Sequence, residues 1–239
     1  MSCRGALLRM RYDGLIQLPP PWNTTVLNIK GKSFCIAFTP QTFLEQPVVK
    51  PVHQLPPLRL IRVVSRDHLR LWNEYIHRYH FLGFTPLPGA QIRYFVYSDE
   101  QILTLLGFSA TAWKTASRDE FIGWSHQQRQ RNLHHIVNNS RFLILPWINS
   151  KNLASKILSI TTRQLSQDWM KIYNYSPLLL ETFVQSDKFA WTCYKAANWL
   201  RIGITKGRGK LDRNRLYAIP EKDIWVYPLR KNFKEQLLI

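Results

Sequence analysis

Three carboxylates in this sequence lie where polar side chains are unexpected. Asp119 follows a predicted strand, Asp168 lies inside a long predicted helix, and Glu181 ends the short apolar run 177–181. Carboxylates that converge at strand ends can hold Mg²⁺ or transfer protons. The same residues could equally form salt bridges that join sheet to helix, for example between Glu181 and Arg118. The sequence alone leaves both interpretations open.

A tyrosine lies a short distance beyond Glu181. From Asp187 the pattern changes to a helical period that includes Tyr194, and Gly203 follows the turn. A tyrosine hydroxyl in a helix that faces a cleft can act as a proton donor. The alternative is a half-buried packing tyrosine and a capping glutamate. We expect Glu181 and Tyr194 to face one cleft, where two central strands diverge.

The charge balance predicts a polyanionic partner. Thirty-three Lys and Arg against fifteen Asp and Glu give a net charge of +18. Such a field favours nucleic acid, here expected to be DNA, although a generally basic protein or one with a membrane-facing basic surface would also show it. The densest basic segment is 201–215, whose glycines let the backbone approach phosphates. The predicted nucleic-acid-binding residues are Lys206, Arg208, Lys210, Arg213 and Arg215, extended by Arg129 and Arg131.

Cysteine usage and hydropathy indicate a compartment. The three cysteines include no C-x-x-C pair and no neighbouring histidine at metal-ligand spacing, which predicts a reducing cytoplasm and no structural zinc site. The longest apolar runs, such as 142–148, are too short for a membrane span, and no signal peptide is evident. We expect a cytoplasmic protein without a membrane partner.

Proline content divides the chain. Eight of the fourteen prolines lie between residues 19 and 57, which predicts a linker or extended arm. Residues 1–18 form a short helix and turn that look like part of a winged helix, or like a bare docking helix. Residues 58–239 hold the regular patterns of a core domain.

Periodicity in the core predicts an α/β fold with a mixed central sheet flanked by helices. The predicted strands are 58–64, 91–97, 102–112, 142–147, 177–181, the segment ending near 204, and 223–229. The predicted helices are 67–80 with Asp67 as its cap, 125–137, 152–173 and a short helix after 187.

This order of elements resembles the fold of the GCN5-related N-acetyltransferases. The resemblance implies that the strand before the long helix splays from its neighbour. It also implies that the helix N-terminus receives the pyrophosphate of acyl-coenzyme A, which would place Ser150, Lys151 and Asn152 at a cofactor site. The glycine-rich loop of that family is missing here. Tyr194 corresponds to the general acid that many of these transferases keep.

At the level of motifs the sequence resembles the DruA family of Druantia anti-phage proteins, whose relatives also occur beside mobile elements. The resemblance covers about residues 58–229 and is weaker over 3–21. The strings that carry it include 79-YHFLG-83, 118-RDEFIGW-124, 141-RFLILPW-147, 192-TCYKAANW-199 and 205-TKGRG-209. It implies a prokaryotic, DNA-related role with other defence or transposition subunits as partners, and no mechanism.

Together these observations predict a DNA-binding protein of an anti-phage or mobile-element system on an acetyltransferase-like fold, acting as a transferase on nucleic acid. One alternative is a Mg²⁺-dependent nuclease or transposase-type enzyme that uses Asp119, Asp168 and Glu181. The other is a nucleic-acid-binding module without catalysis. A transferase needs a groove beneath 149–153 with Tyr194 facing it, whereas a nuclease needs converging carboxylates.

Overall fold

The computed structural model describes residues 10, 13–17, 36, 38–43, 45–87, 89–111, 114–187, 189, 191–205 and 220–239. The chain divides into two compact units, Met1–Cys35 and Ile36–Ile239. Most of the predicted N-terminal segment 1–18 lies outside the described residues. Within it, the Leu15 N–H donates to the Met10 carbonyl at 2.9 Å across the turn at Asp13 and Gly14.

The second unit is built on a seven-stranded mixed sheet in the order β1-β2-β3-β4-β5-β7-β6. The strands are β1 (Leu58–Arg62), β2 (Gln91–Ser98), β3 (Gln101–Ala110), β4 (Ile136–Ile144), β5 (Leu179–Val184), β6 (Leu200–Ile204) and β7 (Asp223–Pro228). All neighbouring pairs are antiparallel except β4 and β5, which are parallel. The predicted α/β fold with a mixed sheet is confirmed.

Six α-helices of this unit lie within the described residues. They are α1 (Arg66–Tyr79), α2 (Ala116–Ile122), α3 (His126–Asn132), α4 (Leu153–Tyr173), α5 (Thr192–Ala196) and α6 (Phe233–Leu237). Among the described residues, none of the helices combines the length and the apolar character that a membrane span requires. The N-cap of α1 is Ser65, whose hydroxyl accepts the His68 N–H, and not the predicted Asp67.

Two apolar cores lie on opposite faces of the sheet, because successive strand residues point to opposite sides. The larger core joins α1, α4 and α5 to one face, with Trp72, Trp169 and Leu180 among its members. The smaller core lies under α2 and α6 and contains Leu179 and Phe233. The neighbours Leu179 and Leu180 thus mark the two faces of β5.

Two predicted boundaries are wrong in ways that matter for the site. The predicted helix 125–137 is the short α3 followed by a 3-10 turn at Leu133–His135, and β4 already begins at Ile136. The predicted strand 177–181 continues to Val184, so Glu181 lies inside β5 and not at its end. The sequence pattern hid this because Glu181 and Thr182 are buried polar residues inside an apolar strand.

The parallel pairing of β4 with β5 is short. Only Ile136, Val137 and Asn138 of β4 face partners, which are Leu179, Leu180 and Glu181 of β5. Beyond this point β4 stays paired with β3, and β5 stays paired with β7. The two strands therefore separate, as the acetyltransferase-like architecture requires.

The described part of the proline-rich segment, between 36 and 57, packs on α1. Glu74 is buried and accepts hydrogen bonds from the hydroxyls of Thr39 and Thr42, at 3.0 and 2.5 Å. The Tyr79 hydroxyl donates to the Thr42 carbonyl at 2.7 Å. Further along, Val48 forms a parallel bridge with Ile148, so this segment also contacts the loop before α4.

Candidate active site

The separation of β4 and β5 opens a cleft of about 430 Å³. It is lined by the second half of both strands, by Ala154 in the first turn of α4, by α5, and by the residues that follow α1. Tyr194 lies in its wall, as the acetyltransferase resemblance implies.

Tyr194 presents a protonated phenol to this cleft. Its side chain is buried among Phe142, Trp199 and Trp225, at ring-centroid distances of 6.3, 5.3 and 6.4 Å. Burial raises the pKa of Tyr194 above its ordinary value, so the phenolate form is less accessible than for a tyrosine in water. The hydroxyl donates to Asn139 Oδ1 at 3.3 Å. Tyr194 is therefore present at neutral pH as a protonated hydrogen-bond donor and not as a phenolate base.

Asn139 is oriented by the backbone around it. Its Nδ2 donates to the carbonyls of Gly107 and Arg141, at 3.3 and 3.1 Å. These two bonds leave Oδ1 for the Tyr194 hydroxyl. The Asn139 carbonyl accepts from Thr182 Oγ1 at 3.1 Å, so a side chain bridges the two strands just beyond their last paired residues.

Two further titratable side chains in the cleft are held uncharged. Burial, with a smaller contribution from the charge of Arg141, lowers the pKa of His80 to about 4. Its Nδ1 accepts the Leu82 N–H at 3.2 Å, which leaves the proton of the neutral ring on Nε2. Burial also raises the pKa of the Cys193 thiol. Both groups can donate weakly, but neither carries charge at neutral pH.

The facing edges of β4 and β5 add backbone groups to the cleft. From Asn139 and Thr182 onwards the described strands share no ladder pairs with each other. Such edges can accept a linear, amide-bearing ligand as a strand-like third partner. The cleft is thus suited to an extended chain that ends near Tyr194.

The N-terminus of α4 begins beside the cleft. Asn152 has φ of 66° and ψ of 5°, a left-handed conformation that asparagine tolerates better than most residues. Glycine, which the acetyltransferase family has in this loop, also adopts this left-handed conformation readily. The Lys156 N–H donates to the Asn152 carbonyl in the first i to i−4 hydrogen bond of α4. The N–H groups of Ala154 and Ser155 precede this bond and belong to the first turn, where N–H groups have no partner within the helix.

This helix start fits an anionic group such as a diphosphate. The positive end of the α4 dipole and its early N–H groups favour negative charge. Lys151 is exposed, and the Ser150 hydroxyl is buried with no hydrogen-bond partner among the described residues. The proline-rich segment holds the loop before α4 in place, since the Asn149 N–H donates to the Val48 carbonyl at 2.8 Å. The assignment of Ser150, Lys151 and Asn152 to a cofactor stays a prediction.

Glu181 lies on the other face of the sheet. Its carboxylate accepts from Arg118 Nη1 at 3.0 and 3.2 Å and from Thr111 Oγ1 at 2.5 Å. Both side chains of the ion pair are almost fully buried. The expectation that Glu181 and Tyr194 share a cleft is therefore wrong: alternation along β5 points Glu181 toward α2, and its neighbour Thr182 toward the cleft.

Asp119 extends this buried network. It lies 3.2 Å from Arg118 Nη2 and accepts from Arg129 Nη1 at 2.9 Å and from Trp124 Nε1 at 3.0 Å. The predicted DNA contact Arg129 is thus bound in an ion pair, whereas Arg131 is exposed. Glu181 and Asp119 are thus held in a buried network of salt bridges and hydrogen bonds, as the salt-bridge interpretation predicts.

The third carboxylate stands apart from this network. Asp168 accepts from the Tyr94 hydroxyl at 2.8 Å and from Gln164 Nε2 at 3.1 Å. Within the described ranges, no three His, Cys, Asp or Glu side chains form a group that could hold a metal ion. The structure therefore does not bring together the trio that the nuclease alternative requires.

Beyond residue 205, the basic segment predicted to bind DNA lies outside the described residues. This applies to Lys206, Arg208, Lys210, Arg213 and Arg215. The strands that flank the segment are described. Asp223, at the start of β7, pairs with Val184, which lines the cleft.

Sequence reasoning missed the polar side chains of the cleft other than Tyr194. Asn139, Thr182 and Gln185 line it, and none was predicted. A signal existed in the asparagine pair 138–139, because two amides just ahead of a strongly apolar run are unusual. It was hidden by the predicted helix 125–137 and by the late start assigned to β4.

Comparison with known proteins now identifies the family. The family model described as Druantia protein DruA matches residues 38–220. The chain belongs to the DruA family. It has 8% identity with the ribosomal-protein-S18-alanine N-acetyltransferase of Escherichia coli, at a TM-score of 0.47, covering 72% of this chain and 94% of that one. A search of curated proteins finds no match.

Two further structures show similarity to this DruA-family chain. A Bacillus subtilis acetyltransferase in complex with CoA has 8% identity and a TM-score of 0.43, covering 73% of this chain and 100% of that one. FeeM, an N-acyl amino acid synthase from uncultured soil microbes, has 9% identity and a TM-score of 0.45, covering 77% and 95%. The acetyltransferase-like architecture itself rests on the strand order and the separation of β4 from β5.

The buried ion pair predicts a stability effect without a catalytic one. Glu181→Gln should lower the free energy of unfolding by about 3 kcal/mol, because Arg118 loses a buried counter-charge. Protection from phage should fall only in proportion to folded protein. Denaturant unfolding and a phage plating assay on the same variant check this. Glu100→Gln is the matched control, since Glu100 is 96% exposed and should change neither quantity; full stability with lost protection would instead make Glu181 catalytic.

His80 predicts a pH dependence of stability. Its pKa in the folded protein, about 4, is below the ordinary value of 6.5, so the unfolded chain binds a proton that the folded chain does not. Stability should be complete above pH 6.5 and should decrease as the pH falls from there toward 4. His80→Gln should flatten this part of the profile of melting temperature against pH. The exposed His126 provides the control, and His126→Gln should leave the profile unchanged.

Proposed function

We propose that this chain is a group-transfer enzyme of an anti-phage system, acting on nucleic acid, with the cleft between β4 and β5 as its active site. The observation that carries the proposal is the buried, protonated hydroxyl of Tyr194 at the place where two parallel strands separate. The activity would take place in the cytoplasm, with other subunits of the defence or transposition system as partners.

The chain's own residues supply three parts of such a reaction. The unpaired edges of β4 and β5 would align a linear donor, and the Ala154 and Ser155 N–H groups with Lys151 would bind its anionic end. Acyl-coenzyme A, when bound, would supply an acyl group activated as a thioester. Tyr194 would turn its single hydroxyl proton from Asn139 Oδ1 to the leaving group, and Asn139 would hold the phenol in position until the donor binds.

Removing the Tyr194 hydroxyl tests this proposal. Tyr194→Phe should reduce protection from phage by about 100-fold or more, since a positioned proton donor contributes on that scale. Its stability should decrease by only about 1 kcal/mol, the cost of one hydrogen bond. The measurement is phage plating efficiency beside thermal melting.

Tyr227→Phe is the matched control for this test. Tyr227 is half-buried, packs against Trp199 at 5.8 Å and does not line the cleft. It should keep full protection. If Tyr194→Phe also protects fully while folded, the cleft tyrosine is a packing residue and the transfer proposal fails.

A nucleic-acid-binding role has its own support in the net charge of +18. A protein that neutralises phosphates releases counterions, so its affinity for DNA should fall steeply as salt rises. We propose that the segment 201–215 supplies much of this contact. Binding without catalysis would follow from the same charge and forms the second candidate.

Salt titrations of DNA binding test the role of charge. Replacing Lys206, Arg208 and Lys210 with Ala should weaken binding to all sequences alike and reduce the salt slope by about three. A control that removes the same charge at the exposed Arg66, Arg70 and Lys171 should have a smaller effect. Equal effects of the two triple variants would mean that net charge acts without a local site. Binding that is insensitive to salt would rule out the electrostatic role.

A further inference from the structure

An aromatic rim stands at one side of the cleft. Phe81 and Phe189 line the cleft and remain 47% and 44% exposed. Their ring centroids lie 4.9 Å apart at an interplanar angle of 52°. The rim combines the segment after α1 with the segment between β5 and α5. Large exposed aromatic side chains beside a cleft provide surfaces on which planar groups can stack.

The wall behind this rim offers both hydrogen-bond donors and acceptors. His80 keeps its ring proton on Nε2, because Nδ1 accepts the Leu82 N–H. Gln185 is buried, and its Nε2 donates to Asp187 at 3.1 Å, which leaves Oε1 as an acceptor. The Ser140 hydroxyl donates to the Gly107 carbonyl at 3.2 Å and keeps its lone pairs. These uncharged groups are of the kind that read the edge of a heterocyclic base.

The net positive charge of the chain favours planar ligands that belong to a polyanion. The chain carries a net charge of +18, so it attracts polyanions. A nucleic-acid strand is a polyanion whose bases are uncharged and planar. A neutral planar ligand or an apolar chain would gain nothing from this charge.

We infer that the cleft accepts an unpaired nucleobase from a nucleic-acid strand. The base stacks at the rim formed by Phe81 and Phe189, where the His80 ring already stacks on Phe81 at 4.9 Å, and its edge meets Gln185, while the phosphates stay outside the cleft. The inference rests on the proposed function, because it names the acceptor that enters the same cleft. It makes an unpaired or extruded nucleotide the substrate, and not the intact duplex.

A strand without bases separates stacking from charge. We would compare the binding of a short oligothymidylate with that of an abasic strand of equal length, which keeps the same phosphates. The base-bearing strand should bind about tenfold tighter, since stacking on aromatic side chains contributes on that scale per base. Equal affinity of the two strands would overturn the inference.

Variants then locate the stacking site. The double variant Phe81→Ala, Phe189→Ala should bind the oligothymidylate about as weakly as the abasic strand. Phe43→Ala is the matched control, because Phe43 is 50% exposed and lies outside the cleft lining, and it should keep the difference. If the double variant keeps the difference while folded by thermal melting, the bases stack elsewhere and the inference fails.

Tyr194→Phe distinguishes this inference from the proposed function. The variant keeps its ring, so it should bind the oligothymidylate as the unmodified protein does while losing phage protection. Retained protection with retained base-dependent binding would end the transfer proposal but leave the base site. Lost protection with no preference for bases would end the base site but leave the transfer proposal.

Discussion

The buried ion pair between Arg118 and Glu181 joins α2 to β5 at the last residue of the parallel ladder between β4 and β5. Only three residues of β4 pair with β5, and so short a parallel ladder is weak by itself. Thr111 reinforces it, because its N–H donates to the Ile136 carbonyl and its hydroxyl to Glu181. A fully buried arginine would be costly without counter-charges, so α2, β4 and β5 are held where Glu181 and Asp119 can meet it. The strands separate directly beyond this anchor.

The alternation of side chains along β5 assigns the anchor and the cleft to different faces. Glu181 points to α2 and joins the charged network, whereas Thr182 points to the larger core and bonds to Asn139. Two adjacent residues of β5 therefore differ in role: Glu181 holds the sheet together, whereas Thr182 faces the cleft where a ligand would bind. Tyr194 lies on the ligand side only, and its environment is apolar apart from Asn139 and Thr182. The charged network around Arg118 lies on the opposite face of the sheet, so it does not restrict which ligands enter the cleft.

The sequence predicted the order of elements well, because apolar periodicity over long segments such as α4 is set by burial. It predicted Tyr194 at the cleft through the resemblance to acetyltransferases. It failed where polar residues occur inside strands: Glu181 was taken as a strand end, and its face was assigned wrongly. Asn152 shows a different limit, since the loop before the long helix lacks the glycines of the acetyltransferase family and so gave no sign of a left-handed residue there. The structure gives Asn152 the left-handed conformation that glycine would supply, and residue type alone does not reveal this.

The cleft and the net charge make complementary demands on a ligand. Burial disfavours the charged forms of His80, Cys193 and Tyr194, although the chain as a whole is strongly basic. Phosphates would gain little inside such a cleft, because it offers them no buried cation among these three groups. Under the proposed function, phosphates would stay at solvent-exposed positions, where water still solvates them. The uncharged bases would then be the part of a nucleic acid that the cleft can accept, next to the protonated phenol of Tyr194.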